Sequence, residues 1–241
     1  MVHNAFRLLF SAVLILQISS SENTTDTIWR VITTATRDPA RQANVHNILS
    51  LDPSLIKVMV GNQGLDNDCI LYLSDNGIRI SKSYYNGKTN SIHSGKLGLW
   101  CSFLRFLDLV QESGKTGVWI EDDVLLKPKH IEEIMQIIGE THTKAEVRMS
   151  HGNGVVVIKN ASQMLQVVKN LEITNPVDVF YASHDMVEDV DSKSLIRKMT
   201  NVTSGITTTT QYPIDLVNNL IQHRMSPYNW SHLSVIGAIS T

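Results

Sequence analysis

The sequence has little cysteine, proline or glycine and no excess of basic residues. Its two cysteines, Cys69 and Cys101, are too few for a zinc module built on thiolates. Proline and glycine number 6 and 13, and 42% of the residues are hydrophobic, which excludes a disordered chain. The 21 Lys and Arg residues face 23 Asp and Glu, so the chain lacks the positive charge of a general nucleic-acid binder. We therefore expect a globular protein that does not bind nucleic acid.

Long hydrophobic runs are also scarce, and the most apolar one lies near the N-terminus at 8–18. Arg7 precedes this run and three serines, at 19–21, follow it. A basic flank, a short apolar segment and small residues are typical of a secretory signal peptide. The run is shorter than the roughly 20 residues of a membrane-spanning helix. We predict that residues 1–21 are a signal peptide or, if retained, a short signal anchor and the only membrane contact; a buried helix is the third possibility.

Four glycosylation acceptor patterns agree with export into the secretory pathway. They begin at Asn23, Asn160, Asn201 and Asn229. Asn160 also precedes a predicted helix and could cap it instead. We expect the protein in the lumen of the endoplasmic reticulum or Golgi, or secreted. Cys69 and Cys101 could pair there, but a chain of this length does not need a disulfide, and the sequence leaves the pairing open.

Strand-like and helix-like segments alternate along the rest of the chain. The predicted strands are 26–34, 55–60, 117–126 and 155–158, and the predicted helices begin at Pro39 and cover 97–110, 131–138 and 162–168. The polar stretch 64–94 is predicted to be irregular. This alternation is typical of an α/β protein with a mostly parallel central sheet flanked by helices. No linker divides the chain, so we predict one domain over residues 26–241.

Three consecutive carboxylates, Glu121, Asp122 and Asp123, interrupt the most apolar predicted strand. Charges are costly to bury, so such a cluster belongs at the carboxyl edge of the sheet, where open α/β sheets bind ligands. Alternation along a strand places Glu121 and Asp123 on one face, and a bend in the backbone would let two of the three converge on one cation. Their oxygens suit Mg²⁺ or Mn²⁺. The alternative is a solvated turn whose acids cap the helix after Pro128 or pair with Lys127 and Lys129.

Several segments accompany the triplet in a fixed order. They are GKLGLWCSFLR at 95–105, VWIEDD at 118–123, GNGVVVI at 152–158 and PVD at 176–178. This order resembles glycosyltransferase family 25, the lipooligosaccharide and collagen galactosyltransferase-like enzymes of the GT-A superfamily. The sequence departs from the family where Leu99 replaces a Cys, Phe103 replaces a His, and Val155 or Val156 replaces a Tyr.

The resemblance implies a GT-A-like, Rossmann-like fold and a hexosyltransferase. Such an enzyme moves a galactose-like hexose from a nucleotide-diphosphate sugar, most often a UDP-sugar, to a hydroxyl of a glycan or glycoprotein, with Mn²⁺ or Mg²⁺ as cofactor. It implies Asp123 as the principal metal ligand with Asp122 beside it. Glu121 and Asp122 would also support the nucleotide sugar.

The end of the first strand and two later aspartates complete the predicted site. Thr33, Thr36 and Arg37 would lie beside the nucleotide at the same sheet edge, with Arg37 on a phosphate or paired with a neighbouring acid. An inverting transfer needs a base for the acceptor hydroxyl. Asp178 matches the family position, and Asp185 is the reserve candidate; either could instead be a loop cap or a surface acid.

A second hypothesis follows from the departures from the family pattern. Without the family's Ser-His pair, the chain could be a catalytically inactive, secreted sugar- or metal-binding module of the same fold. A secreted hydrolase is the weaker third hypothesis, because the sequence contains neither a Gly-x-Ser-x-Gly elbow nor a His-Glu-x-x-His helix.

Overall fold

A six-stranded sheet forms the centre of the protein. The computed structural model describes residues 26–34, 38–84, 90–149, 154–190, 196–199 and 210–227. The sheet has the order β2-β1-β4-β7-β6-β8. Its strands are β1 (Thr27–Thr33), β2 (Ile56–Val60), β4 (Thr116–Glu121), β6 (Glu146–Arg148), β7 (Val155–Ile158) and β8 (Val187–Asp189). Only β7 runs against its neighbours β4 and β6, so the predicted α/β class with a mostly parallel sheet is confirmed.

Helices cover both faces of this sheet. They are α1 (Pro39–Leu51), α2 (Asn67–Asp75), α3 (Ser94–Ser113), α4 (Pro128–Gly139), α5 (Ala161–Asn170), α6 (Val177–Ser183) and α7 (Ile214–His223). One apolar cluster joins the sheet to α2, α3, α5, α6 and α7, and a second joins it to α1 and α4. Burial on both faces explains why β7 is entirely Val and Ile with no polar alternation.

Two short antiparallel pairs lie outside the main sheet. β3 (Ser91–His93) pairs with β10 (Gln211–Pro213), and β5 (Val124–Leu125) pairs with β9 (Arg197–Lys198). The second pair brings a late part of the chain against the segment that directly follows the acidic triplet.

Local residues determine where α1 begins and where α3 ends. Asp38 caps α1 by accepting hydrogen bonds from the backbone N–H groups of Ala40 and Arg41, and Pro39 occupies the first turn, as predicted. Gly114 ends α3 in the left-handed conformation, with φ of 67°. α3 extends further in both directions than the predicted 97–110.

Two predictions about local structure were wrong. The polar stretch 64–94 is not irregular throughout, because α2 lies within it, capped by Asp66 and buried through Cys69, Ile70 and Leu73. The predicted strand 117–126 is two strands, since β4 ends at Glu121 and a turn at Asp122 and Asp123 separates it from β5.

Cys69 of α2 and Cys101 of α3 form a disulfide, with their Cα atoms 5.5 Å apart. This answers the question that the sequence left open. Both cysteines are fully buried, and the bond joins α2 to α3.

Among the described residues, none of the helices combines the length and the apolar character needed to cross a bilayer. Residues 1–21 lie outside the described ranges, so the signal peptide or anchor stays a prediction.

Candidate functional site

The acidic triplet lies at the carboxyl edge of the sheet, beside the end of β1. Ile32 of β1 is in register with Glu121, the last residue of β4. All three carboxylates line a cavity of about 230 Å³. The rest of its wall is formed by Ile32, Thr34, Arg41, Asn62, Gln63, Gly95, Leu99, Ser102, Trp119 and Lys198. The structure therefore places the triplet in a cleft rather than on an open surface.

Arg41 of α1 neutralises the most buried of the three acids. Asp122 is 3% exposed, and Arg41 Nη1 lies 2.5 Å from its Oδ1. The second guanidinium nitrogen, Nη2, lies 3.8 Å from Oδ2 of Asp123. An Arg suits this role because its planar fork can serve two carboxylates at once. Pairing with Lys127 and Lys129, the alternative considered from sequence, is not what the structure shows.

Asn44, one turn after Arg41, fixes the backbone of the acidic turn. Its Nδ2 donates hydrogen bonds of 2.9 Å to the carbonyl oxygens of both Asp122 and Val124. Asn44 is 5% exposed, so these bonds are made away from water. The bend that brings the three acids to one cavity is thus held from α1.

Lys198 of β9 supplies the second cation. Its Nζ donates a hydrogen bond to Oε2 of Glu121 and lies 3.7 Å from Oδ1 of Asp123. Burial raises the pKa of Glu121 above its usual range, and the Lys198 ammonium opposes that rise. Burial alone lowers the pKa of Lys198, but Glu121 and Asp123 outweigh it and raise that pKa. Lys198 therefore remains charged beside the acids.

The loop after β2 forms another wall of the cavity and is bound to α3. The backbone N–H of Asn62 donates to Ser102 Oγ, and that hydroxyl donates to the carbonyl of Gly98, both at 2.7 Å. The Asn62 side chain, in a residue 8% exposed, donates to both oxygens of Asp66. Its Oδ1 is buried and has no hydrogen-bond partner among the described residues, so it is free to accept from a bound ligand.

The positions at which the sequence differs from the family pattern lie in different environments. Leu99 lines the cavity and makes that part of the wall apolar. Phe103 is 1% exposed and packs edge-on against Trp119, with ring centroids 5.1 Å apart. Val155 and Val156 are fully buried in β7. Phe103 therefore serves the core.

Some of the predicted nucleotide-binding residues line the cavity, and others do not or lie outside the described residues. Thr33 ends β1, where its carbonyl accepts the N–H of Gly61, and the next residue, Thr34, lines the cavity. Thr36 and Arg37 lie outside the described residues. Glu121 and Asp122 are in the cavity wall, as the prediction requires.

Neither of the two candidate bases lines the cavity that contains the triplet. Asp178 is half-buried in the first turn of α6 and is not among the cavity-lining residues. Asp185 precedes β8, which runs parallel to β6 and therefore in the direction of β4. It thus lies at the amino edge of the sheet, opposite the triplet, where it pairs with Lys144 at 2.6 Å. The structure does not bring Asp185 to the site.

Of the four predicted glycosylation sites, only Asn160 lies in the described residues. Its side chain accepts a 3.0 Å hydrogen bond from the backbone N–H of Gln163 and caps α5. The capping alternative is therefore confirmed, and Asn160 remains exposed. Asn23, Asn201 and Asn229 lie outside the described ranges, so modification at all four sites stays a prediction.

A second buried ion pair, missed in the sequence, lies on the same face of the sheet as Trp119. Arg148 Nε donates to Oε1 of Glu146 at 2.5 Å, and the two residues are 7% and 1% exposed. Burial raises the pKa of Glu146 despite the opposing Arg148 charge. Burial and the charge of Glu146 also raise the pKa of Tyr181 well above its usual value.

No family model and no curated protein matches the chain. The geometry of the site and the sequence motifs are therefore the basis on which a function can be inferred.

Two carboxylate oxygens of the site fit a bound cation. Asp122 Oδ2 and Asp123 Oδ1 are buried and have no hydrogen-bond partner in the described part of the chain. Both are hard oxygen donors of the kind that Mn²⁺ and Mg²⁺ take. The described residues contain no group of three His, Cys, Asp or Glu side chains arranged as a complete metal site. Further ligands would therefore come from a substrate and from water.

Proposed function

We propose that the protein is a metal-dependent glycosyltransferase that moves a hexose from a nucleotide-diphosphate sugar to a hydroxyl of a glycan or protein. The observation that carries the proposal is the position of Asp122 and Asp123, in a cavity between the carboxyl ends of β1 and β4. Open α/β sheets bind ligands at this edge. The ordered sequence motifs supply the second support, since they resemble family 25 of the GT-A enzymes.

The charge balance of the cavity supports a divalent cofactor. Glu121, Asp122 and Asp123 carry three negative charges when ionised, and Arg41 and Lys198 carry two positive ones. A diphosphate would enter this net negative site only with additional positive charge. Asp123 and Asp122 would hold Mn²⁺ or Mg²⁺, and the ion would stabilise the negative charge that develops on the departing diphosphate.

The remaining cavity residues have roles that their chemistry suggests. Arg41 pairs with Asp122 and Asp123 and holds the two carboxylates in place. The amide oxygen of Asn62 has no hydrogen-bond partner among the described residues and would accept from a hydroxyl or amine of the nucleotide sugar. Thr34, rather than Thr33, faces the cavity from the end of β1. Asp178, which is not among the residues of the cavity wall, is the base for the acceptor hydroxyl that the family resemblance implies.

The buried Cys69–Cys101 disulfide supports the secretory pathway as the compartment, because disulfides persist in oxidising lumens and are rare in the cytosol. The N-terminal apolar segment and the four glycosylation patterns point the same way. We propose that the protein acts in the lumen of the endoplasmic reticulum or Golgi, or is secreted.

The test is the variant Asp123→Asn, which keeps the size of the side chain and removes its charge. We expect loss of Mn²⁺-stimulated hydrolysis or transfer from a panel of UDP-sugars by at least about a hundredfold, the scale of a lost electrostatic stabiliser. Product release is measured as UDP formed. Asp215→Asn is the matched control, because Asp215 is 71% exposed and pairs with the exposed Lys82. Unchanged activity in Asp123→Asn would falsify the metal role.

A catalytically inactive binding module is the second candidate. It is favoured by Phe103, which is buried against Trp119 where the family has a His. Calorimetric titration with UDP and Mn²⁺ separates the two candidates. Binding that depends on Asp123, without turnover on any sugar or acceptor, would establish the module; turnover would establish the enzyme.

A further inference from the structure

Lys198 is held over the acidic triplet by the backbone of β9. Lys198 pairs with Val124, and Arg197 pairs with Leu125. The backbone N–H of Met199 donates a 2.7 Å hydrogen bond to the carbonyl of Asp123 itself. β9 is therefore anchored on the same turn that carries the acids, and the position of Lys198 is fixed by main-chain contacts.

Burial of a neighbouring side chain strengthens this anchor. Ile196, directly before β9, is 7% exposed and packs in the apolar cluster beneath α1 and α4. The Lys198 side chain itself remains 44% exposed. The backbone of β9 is thus tied down while the ammonium can leave the acids toward solvent.

The ammonium lies close to one of the oxygens that a metal would need. Lys198 Nζ donates to Glu121 and lies 3.7 Å from Asp123 Oδ1, which has no hydrogen-bond partner in the described part of the chain. Two cations cannot share that oxygen without strong mutual repulsion.

We infer that Lys198 is a built-in counter-cation that a divalent metal must displace from Glu121 and Asp123 before it can bind. The inference rests on the proposed metal site and adds a competitor to it. Competition from Lys198 lowers the affinity of the site for a free metal ion. The displaced ammonium then becomes available to a diphosphate, so donor and metal binding favour each other.

The experiment measures Mn²⁺ affinity directly, without nucleotide and without activity. Free Mn²⁺ is followed by electron paramagnetic resonance during titration of the purified full chain. Lys198→Met removes the charge and keeps the apolar stem. We expect it to bind Mn²⁺ about five- to tenfold more tightly than the wild type, since it removes a partly exposed ion pair and a repulsion. Arg197→Met, the same change on the same strand, is the control and should leave the affinity unchanged.

Two further variants make each outcome decisive. Lys198→Gln replaces Lys198→Met if the latter does not fold, as judged by its thermal unfolding. Asp123→Asn should lose Mn²⁺ binding. If Asp123→Asn loses binding but Lys198→Met and Lys198→Gln bind like the wild type, the metal site stands and the competition is overturned. If none of the proteins binds Mn²⁺, with or without Lys198, the proposed metal site and the inference both fall.

Discussion

At the scale of single residues, the site depends on charges that are paired out of water. Asp122 is the extreme case, because it is 3% exposed and its close cation is Arg41. A buried carboxylate without a counter-charge is costly, whereas an exposed one is not. Arg41 is therefore as important to the fold as to the chemistry proposed for the cavity.

The variant Arg41→Met should reduce the free energy of unfolding by about 3 kcal/mol, because it leaves Asp122 buried and uncompensated. Urea unfolding followed by circular dichroism measures the change. Arg224→Met is the matched control, since Arg224 and its partner Asp75 are both more than half exposed, at 55% and 53%. It should change stability by less than about 1 kcal/mol. Equal losses in the two variants would show that the Arg41 pair is not buried in solution.

Sequence patterns locate the acids but not the cations that hold them. Three consecutive carboxylates after an apolar strand are recognisable from the local sequence alone. Arg41 and Asn44 carry only a weaker signal: both are polar at positions of α1 that share a face with the buried Val45 and Ile48. Lys198 carries no local signal, because its place at the cavity depends on the pairing of β9 with a strand more than seventy residues earlier.

At the scale of secondary structure elements, segments with a strong local pattern, including the short apolar strand β7, were predictable, whereas β6, β8 and α2 were not. β1, α1 and α3 have caps or a repeat that local sequence supplies. β6 and β8 have three residues each, and their strand character comes from their place in the sheet. α2 was missed because its buried residues are few and lie in a polar stretch, where burial against α3 stabilises the helix.

Close packing of α3 against the loop after β2 requires glycine at position 98. A Cβ atom there would lie 2.6 Å from the carbonyl oxygen of Asn62 and 2.6 Å from the backbone nitrogen of Gly64. Neither backbone atom can move without shifting the loop that lines the cavity. The contact thus links the packing of one helix to the shape of the site.

Gly98→Ala should lower the free energy of unfolding by about 2 kcal/mol through this overpacking. Chemical denaturation gives the value. Gly139→Ala, at the end of α4, is the control, because its Cβ would meet nothing within 4 Å. That variant should be neutral or more stable by up to about 1 kcal/mol. A Gly98→Ala protein as stable as the control would show that the loop accommodates a methyl group.

At the scale of the whole molecule, the Cys69–Cys101 disulfide connects two helices near the carboxyl edge of the sheet. The disulfide joins residues that are 32 positions apart and lies in the larger of the two apolar clusters. It ties α2 to α3, and these helices flank the loop that contains Asn62. Stability and site geometry therefore depend on the oxidation state of the chain.

The double variant Cys69→Ala and Cys101→Ala should lose about 2–4 kcal/mol of unfolding free energy, the usual contribution of a disulfide that closes a loop of this length. The measurement is thermal unfolding of the variant and of the wild type, each with and without a reductant. The reductant should destabilise the wild type toward the variant and leave the variant unchanged. A reductant effect of equal size on both proteins would contradict the role of this bond.

The hydrogen bonds from Asn44 to the two carbonyl groups bear on how natural alleles of this protein are judged. A missense change from Asn to Asp needs a single nucleotide and, by its place within a helix, looks harmless. Here it would set a carboxylate against the carbonyl oxygens of Asp122 and Val124, which now accept from an amide. Substitutions of Asn44 should therefore be ranked as severe as those of Glu121, Asp122 and Asp123 when inherited variants are sorted by expected effect.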